Sequence, residues 1–422
     1  MRFSFPHCLF PRARAALPAA FQRLAWSNLI AQSAEQISLA AAPLVAVFTL
    51  GASARDTGLL QTAQTLPFLL LSIPLGVYAD RRSRRALMAV SEGVRALAMA
   101  TVLLLVLSHA LTLPLLAVLG FFGATGTVAY SVAAPALVPA LVARDALSVA
   151  NGRIELARSV AYSAGPALGG LLVGWIGAGW AYGCAATLSA LAAALLAGLH
   201  EPQRASAPAR HFMLELRDGA RFVFGDALLR PMLATAVFFN LGFFTLQAVY
   251  VPYAVHRLGL GASAVGATLG AYGIGMVCGA LAAPSVARRV TFGRTLIVGP
   301  FCGLGASLMM VATLAVPSFW LAAASFFLLG AGPILWTVGS TTLRQAITPV
   351  GMMGRVSALN STATYGARPV GALLGAAISA RYGMDACLVV AALGFAAQAW
   401  IIVMSPAARL ARIPDGGAVP SS

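Results

Sequence analysis

Three charged residues lie deep inside long apolar stretches of this 422-residue chain, in which only 9% of the residues are charged. Glu35 lies in the first stretch, Arg95 follows Glu92 by three residues, and Arg368 has no acid near it in the sequence. A charged side chain inside an apolar layer is costly, and such residues commonly mark ion or substrate pathways. Glu35, Arg95 and Arg368 are therefore the candidates for proton coupling.

Each position has more than one interpretation. Glu35 lies eleven residues into its stretch, about 16 Å deep at the rise of an α-helix. A carboxyl group at that depth is suited to bind and release a proton during transport. The alternative is a structural role, in which Glu35 is hydrogen-bonded to Gln32 or Gln36. Arg368 needs a partner or a water-filled cavity, so it either pairs with Glu35 or binds an acidic substrate.

Two Glu-x-x-Arg pairs occur in the first half, Glu92 with Arg95 and Glu155 with Arg158. Residues three apart share one face of a helix and can neutralise each other. We expect a structural ion pair at both places. Because Arg95 lies deeper in its stretch, it is the better candidate for coupling.

A basic turn separates two of the apolar stretches. The ten residues from Gly76 to Arg85 contain four of the 28 arginines, at 81, 82, 84 and 85. Two helices joined by so short a connection must run antiparallel. Short arginine-rich loops stay on the cytoplasmic side of a membrane, so this turn sets the predicted orientation.

The composition requires a membrane. Hydrophobic residues make up 59% of the chain, and the mean hydropathy is +0.85. Stretches of about 20 apolar residues match the thickness of a bilayer, and the backbone must then be helical. We predict an all-α membrane protein with twelve transmembrane helices, at 24–50, 57–79, 86–108, 112–138, 155–177, 179–199, 231–254, 262–284, 294–316, 318–340, 357–380 and 385–404.

The arginines test this topology. Twenty-two lie in predicted cytoplasmic segments, three in outside loops and three within spans, which together account for all 28. Both termini are then cytoplasmic. The predicted organisation is a tail (1–23), a six-helix bundle (24–200), a linker with an amphipathic helix (201–230), a second six-helix bundle (231–404) and a tail (405–422).

The two halves repeat with an offset near 206 residues. Gly165-x-x-x-Gly169 in span five corresponds to Gly371-x-x-x-Gly375 in span eleven. Small residues four apart allow close contact between helices. We expect one face of span five to be covered by Gly165, Gly169, Gly170 and Gly174, and one face of span eleven by Gly371 and Gly375. A parallel repeat of two six-helix bundles is typical of two-halved secondary transporters.

These features resemble the major facilitator superfamily. Its loop motif between spans two and three runs Gly-x-Leu-Ala-Asp-Arg-x-Gly-Arg-Arg, and the basic turn matches it at most positions. Tyr78 and Ser83 are the departures. The resemblance implies a gating motif at Gly76, Asp80, Arg81, Arg84 and Arg85. In the family the Asp is thought to bind near the start of span eleven when the transporter faces outward; a solvated loop is the alternative.

Span five carries a second motif, at Gly165, Pro166, Gly169 and Gly170. It resembles the Gly-Pro-x-x-Gly-Gly core of antiporters and drug exporters. The amphipathic linker and the polar first span resemble the branch with enterobactin and macrolide exporters. Since spans one, four, seven and ten line the cavity in this superfamily, the resemblance also implies cavity residues at Gln32, Phe122, Asn240, Gln247 and Trp336.

We therefore expect a secondary transporter of the bacterial inner membrane that exports a small organic molecule, such as a drug or siderophore, by proton-coupled alternating access. An uptake symporter and a non-transporting receptor or scaffold are the alternatives. The expected partners are a small-molecule substrate, protons and the lipid bilayer, and the expected state is a monomer. The five scattered cysteines and the missing nucleotide motif predict no metal, no cofactor and no enzyme activity. The charge of +16 is assigned to cytoplasmic loops rather than to nucleic-acid binding.

Overall fold

The computed structural model describes residues 18–142, 147–201, 212–349 and 352–412. All regular secondary structure in these ranges is helical, which confirms the predicted all-α class. In chain order the α-helices are α1 (Ala19–Leu50), α2 (Ala54–Leu70), α3 (Ser72–Arg81), α4 (Arg84–Leu107), α5 (Leu113–Leu141), α6 (Leu147–Ile176), α7 (Ala178–Ala197), α8 (Phe212–Gly225), α9 (Leu229–His256), α10 (Ala262–Arg289), α11 (Phe292–Ala312), α12 (Phe319–Ile347) and α13 (Met353–Met404). A 3-10 helix, Pro406–Arg409, follows them.

The predicted twelve crossings are present in the described ranges. Ten helices are long and apolar enough to span a membrane by themselves. One further crossing is formed by α2 and α3, which are separated at Leu71. The chain reverses direction within α13 at Gly383, whose φ of 84° favours glycine, so α13 contributes two crossings. Ten helices plus the α2–α3 crossing and the second α13 crossing give twelve.

The predicted boundaries differ most at one end of the molecule. We call this the basic end; it is where α3 meets α4 through Arg82 and Ser83. There α1 begins at Ala19 rather than 24, α6 begins at Leu147 rather than 155, and α12 ends at Ile347 rather than 340. Hydropathy detects only the apolar part of a helix, so these polar extensions were not predicted. We call the other end the outer end.

Packing is different at the two ends. At the outer end one hydrophobic core contains residues of both halves, such as Leu44, Val249 and Phe326. At the basic end the first half has a separate core around Leu137, and the second half has two smaller ones. The described halves are therefore joined at the outer end and packed separately at the basic end.

The linker helix α8 lies on the second half. Val223 is buried against Leu233 and Val356, and Gly219 packs against the backbone of Arg355 at the start of α13. A surface ion pair joins Arg355 to Asp218 at 3.2 Å. This helix lies within the predicted linker; the linker residues 202–211, like the tail residues 1–17 and 413–422, lie outside the described ranges.

Candidate functional site

The centre of the first half holds a buried ionic cluster. The carboxylate of Glu92 contacts Nη2 of Arg95 at 2.5 and 2.6 Å, and the two residues are 0% and 2% exposed. The Glu35 carboxylate lies 3.7 Å from Nη1 of Arg95. The predicted Glu92–Arg95 pair is confirmed, and α1 reaches it through Glu35.

Arg95 also holds the surrounding helices together. Its guanidinium donates to the carbonyl of Ala31 on α1, the hydroxyl of Thr127 on α5 and the hydroxyl of Ser189 on α7, at 3.0, 3.0 and 3.2 Å. A guanidinium has five N–H donors, so one side chain can serve four helices. Since Glu35 shares this hub, its charge state acts directly on the contact between α1 and α4.

A central cavity of about 360 Å³ lies between the halves. It is lined by Glu35 and Arg95 from the first half and by Arg368 from the second. Three of the expected cavity residues, Gln32, Asn240 and Gln247, also line it. In the same wall, Gln36 Nε2 and Gln64 Oε1 are buried without a hydrogen-bond partner among the described residues.

Arg368 projects from α13 into an aromatic surrounding. Its guanidinium carbon lies 4.5, 5.3 and 5.4 Å from the ring centres of Tyr365, Phe68 and Phe244. Its Nε donates to Asn240 Oδ1 at 3.4 Å. Cation–π contacts compensate part of the cost of a buried guanidinium. Of the alternatives predicted for Arg368, an ion pair with Glu35 is not formed in the described part of the chain.

A second cavity, of about 440 Å³, extends from this point to the basic end of the second half. It shares six lining residues with the central cavity: Arg158, Phe239, Asn240, Tyr272, Tyr365 and Arg368. Towards the basic end it is lined by Arg344 of α12 and Val356 of α13. The two cavities meet at Arg368 and form one path from the basic end to the middle of the molecule.

Two of the expected cavity residues lie elsewhere. Phe122 is 50% exposed and lines neither cavity; on α5 it points away from the face that carries Gly120 and Thr127. Residues two apart on a helix point in nearly opposite directions, which explains the difference from Gly120. Trp336 lines the second cavity instead of the central one.

The cavities also have lining residues for which the sequence predicted no cavity role, among them Phe68, Tyr365, Arg158 and Arg344. For Phe68 the sequence contains a pattern that could have identified it. Gln61, Gln64, Thr65 and Phe68 all line the central cavity, and their spacing of three and four places them on one face of α2. For Arg344, near the end of its helix, no comparable pattern exists.

The glycine motif of α6 packs on two helices. A Cβ on Gly165 or Gly169 would meet Gln36 or Ile37 of α1, whereas one on Gly170 would meet Gly266 of α10. The expectation of a single glycine face was wrong, because residues 169 and 170 are about 100° apart around a helix. Gly165 and Gly169 therefore pack α6 against α1 within the first half, and Gly170 packs it against α10 of the second half.

The basic turn binds an acidic side chain that follows the last helix of the first bundle in the sequence. Glu201 accepts hydrogen bonds from the backbone N–H groups of Arg84 and Arg85 at 3.2 and 3.1 Å, and from the Ser83 hydroxyl at 2.5 Å. An anion suits the start of a helix, here α4. The side chains of the predicted gating residues Gly76, Asp80 and Arg81 lie outside what the structure describes.

Two six-helix bundles around a charged cavity, joined at one end, are the architecture of solved structures that share this fold. A bacterial homologue of the iron transporter ferroportin, in an inward-facing state, has a TM-score of 0.69 at 16% identity, covering 90% of this chain and 98% of that one. A D-xylose–proton symporter has a TM-score of 0.72 at 12% identity, covering 91% and 97%.

The chain belongs to the transmembrane secretion effector family of the major facilitator superfamily, whose family model matches residues 16–414. It is 27% identical over 402 residues to the multidrug efflux pump Tap of Mycobacterium tuberculosis, covering 91% of this chain and 93% of that protein. It is 26% identical over 312 residues to the enterobactin exporter EntS of Shigella flexneri, covering 71% and 70%. The family and these relatives are transporters rather than enzymes.

Proposed function

We propose that this protein is a proton-driven exporter of a small organic molecule, such as a drug or siderophore, and that it works by alternating access. The family match and the two relatives, which are named as an efflux pump and an exporter, support the direction of transport. The proton gradient is the energy source, and the protein works as a monomer without a cofactor.

The observation that carries this proposal is Glu35 in the wall of the central cavity, 3.7 Å from the buried Arg95. The charged groups that face Glu35 are Arg95 and Glu92 from α4, Arg158 from α6 and Arg368 from α13. When Glu35 is ionised, its attraction to Arg95 holds α1 against α4. Protonation removes that attraction, so one proton changes a contact within the first half.

The conformational cycle follows from the unequal packing of the two ends. The basic end is proposed to face the cytoplasm, with both termini there, because short arginine-rich loops remain inside. The state described here is then open to the cytoplasm and closed outside, where Gly170 meets Gly266 and Thr57 donates to the carbonyl of Ala248 at 2.8 Å. Rocking of the bundles would open the outer end and close the basic end.

Closure of the basic end would bring the turn between α3 and α4 towards the start of α13 at Met353. We assign to Asp80 the role of binding there in the outward-facing state, as the superfamily resemblance implies. A helix start favours a carboxylate, which gives this contact a physical basis.

The test is transport in proteoliposomes with an imposed pH gradient. Wild-type protein should couple efflux of a substrate to proton entry, and Glu35→Gln should abolish that coupling because an amide cannot exchange the proton. Asp385→Asn is the matched control, since Asp385 is exposed at the outer end and pairs with Arg257. Proton-coupled export that persists in Glu35→Gln would refute the role of Glu35. Substrate and protons moving in the same direction would indicate a symporter, and no flux would favour a scaffold.

A further inference from the structure

The walls of the second cavity carry arginine without acid. Of its described lining residues, three are arginines (Arg158, Arg344 and Arg368) and none is Asp or Glu. In the central cavity Glu35 is the single acid among the described lining residues, and Arg95 lies beside it. Because Arg158 has further interactions within the chain, the excess charge is assigned to Arg344 and Arg368.

The contacts of Arg368 leave the Nη edge of its guanidinium available to a ligand. Tyr365, Phe68 and Phe244 surround the guanidinium, and its Nε donates a hydrogen bond to Asn240 Oδ1. The two Nη groups have no hydrogen-bond acceptor among the described residues. A guanidinium fork of this kind matches a carboxylate or phosphate with two parallel hydrogen bonds. The neighbouring rings provide flat apolar surface beside the fork.

Arg344 marks the other end of the path. It lies in the last turn of α12, and its Nε is buried without a hydrogen-bond partner among the described residues. On α13 the residues that line this cavity run from Val356 to Arg368, which is about 18 Å along a helix. Trp336 lines the same cavity between Arg344 and Arg368, and its Nε1 is buried without a hydrogen-bond partner among the described residues. Two positive groups at the ends of one path attract anions inward and disfavour cations.

We propose that the transported molecule is an organic anion with an aromatic ring system. Its carboxylate, sulfonate or phosphate group binds the Nη edge of Arg368, its ring packs against Tyr365 and Phe244, and Arg344 is its first contact on entry from the basic end. This substrate class rests on the proposed function of small-molecule export. It restricts the transported molecules to those with a negative charge.

Binding is tested first, with purified protein in detergent and two xanthene dyes of similar size. Fluorescein carries a carboxylate, and the methyl ester of rhodamine is a cation. Titration followed by fluorescence anisotropy should show tighter binding of fluorescein. Arg368→Gln should weaken it by about tenfold to a hundredfold, the range for a hydrogen-bonded charge, and leave the cation unchanged. Arg368→Lys should recover part of the loss because the charge remains. Arg288→Gln, which removes an exposed arginine at the end of α10, is the control.

Efflux of the same dyes from proteoliposomes then separates the substrate class from transport itself. Preferred efflux of fluorescein that depends on Arg368 supports both. Preferred binding and efflux of the cation would overturn the anion class and leave the transporter proposal standing. Arg368-dependent binding of fluorescein without any flux would support the site and count against export. Binding of neither dye by wild-type protein would overturn the anion class.

Discussion

The two halves of this transporter hold an arginine at the central cavity in opposite ways. In the first half Arg95 is 2% exposed, contacts two carboxylates and donates to three further groups. In the second half Arg368 has aromatic rings and one amide, without an acid among its described contacts. The first arginine is satisfied within the protein, and the second still has donors for a ligand.

The internal repeat sharpens this contrast. The position 206 residues after Glu35 is Leu241, and the position 206 residues after Arg95 is Phe301. The ionic cluster therefore has no counterpart at the equivalent positions. The helix packing does: Gly165 and Gly169 pack on α1, and Gly371 and Gly375 pack on α9. Both halves retain the same backbone contacts, while the charged side chains at these positions differ.

The largest loss of stability should come from replacing Arg95, the arginine whose partners all lie within the protein. Arg95→Met leaves Glu92 buried without its partner, and removing one member of a buried pair costs about 3–5 kcal/mol. Arg368→Gln should cost about 1 kcal/mol, because it removes one weak hydrogen bond and cation–π contacts. Thermal unfolding in detergent measures both. The double variant Glu92→Leu with Arg95→Met should recover much of the loss, since no unpaired member of that pair remains. Equal losses for Arg95→Met and Arg368→Gln would remove the distinction between a structural and a binding arginine.

The joint between the halves gives the second prediction. Gly170→Leu should prevent close approach of α6 and α10, reduce transport at least about tenfold, and cost about 1–3 kcal/mol through overpacking. Opening should also expose Thr57, which is 3% exposed at this joint. Thr57→Cys, in a background without native cysteines, should react with maleimide only when it is combined with Gly170→Leu.

The control for that substitution is Gly305→Leu in α11, where a Cβ would have no described atom within 4 Å. It makes the same change in side-chain volume without a clash. Transport should stay near the wild-type rate, and Thr57→Cys should stay unreactive towards maleimide. Unchanged labelling in Gly170→Leu would mean that the outer end is held by other contacts, such as those between α2 and α13.

The sequence predicted those parts of the fold that depend on local pattern. Hydropathy located the crossings, because apolar length is set by the bilayer. The Glu92–Arg95 pair followed from helical spacing. Phe122 was placed in the wrong direction because α5 is apolar around most of its surface, so periodicity does not identify the inward face.

Contacts between distant residues were not predictable in this way. Glu201 lies 118 residues after Ser83, and no spacing rule connects them. The aromatic surrounding of Arg368 combines Phe68 of one half with Tyr365 of the other. Such contacts depend on how the bundles meet, which local spacing along a single chain does not specify.

The third prediction compares the two basic-end turns. In the first half Glu201 caps the start of α4 with its carboxylate. In the second half the start of α11 is capped by backbone carbonyls after the last crossing, since Gly293 N–H donates to Leu410 at 2.8 Å. Glu201→Ala should therefore cost about 1–2 kcal/mol, as for other lost caps. Leu410→Ala should leave the corresponding cap intact because the carbonyl remains. Proteolysis near the start of the linker is the measurement, and equal sensitivity of both variants would contradict it.

The smallest effect is expected for the surface ion pair of the linker helix, which can be separated from a packing contact beside it. Asp218 and Arg355 are 49% and 31% exposed at the side chain, so Asp218→Asn should cost no more than about 0.5 kcal/mol, as is usual for surface pairs. Gly219→Leu should cost more, about 1–3 kcal/mol, because a side chain there would collide with the backbone of Arg355. Limited proteolysis of α8 compares them. Release of α8 by Asp218→Asn alone would show that charge, rather than the packing of Val223, attaches the linker to the second half. If only Gly219→Leu releases it, the linker follows the second half through close backbone contact and moves with it during transport.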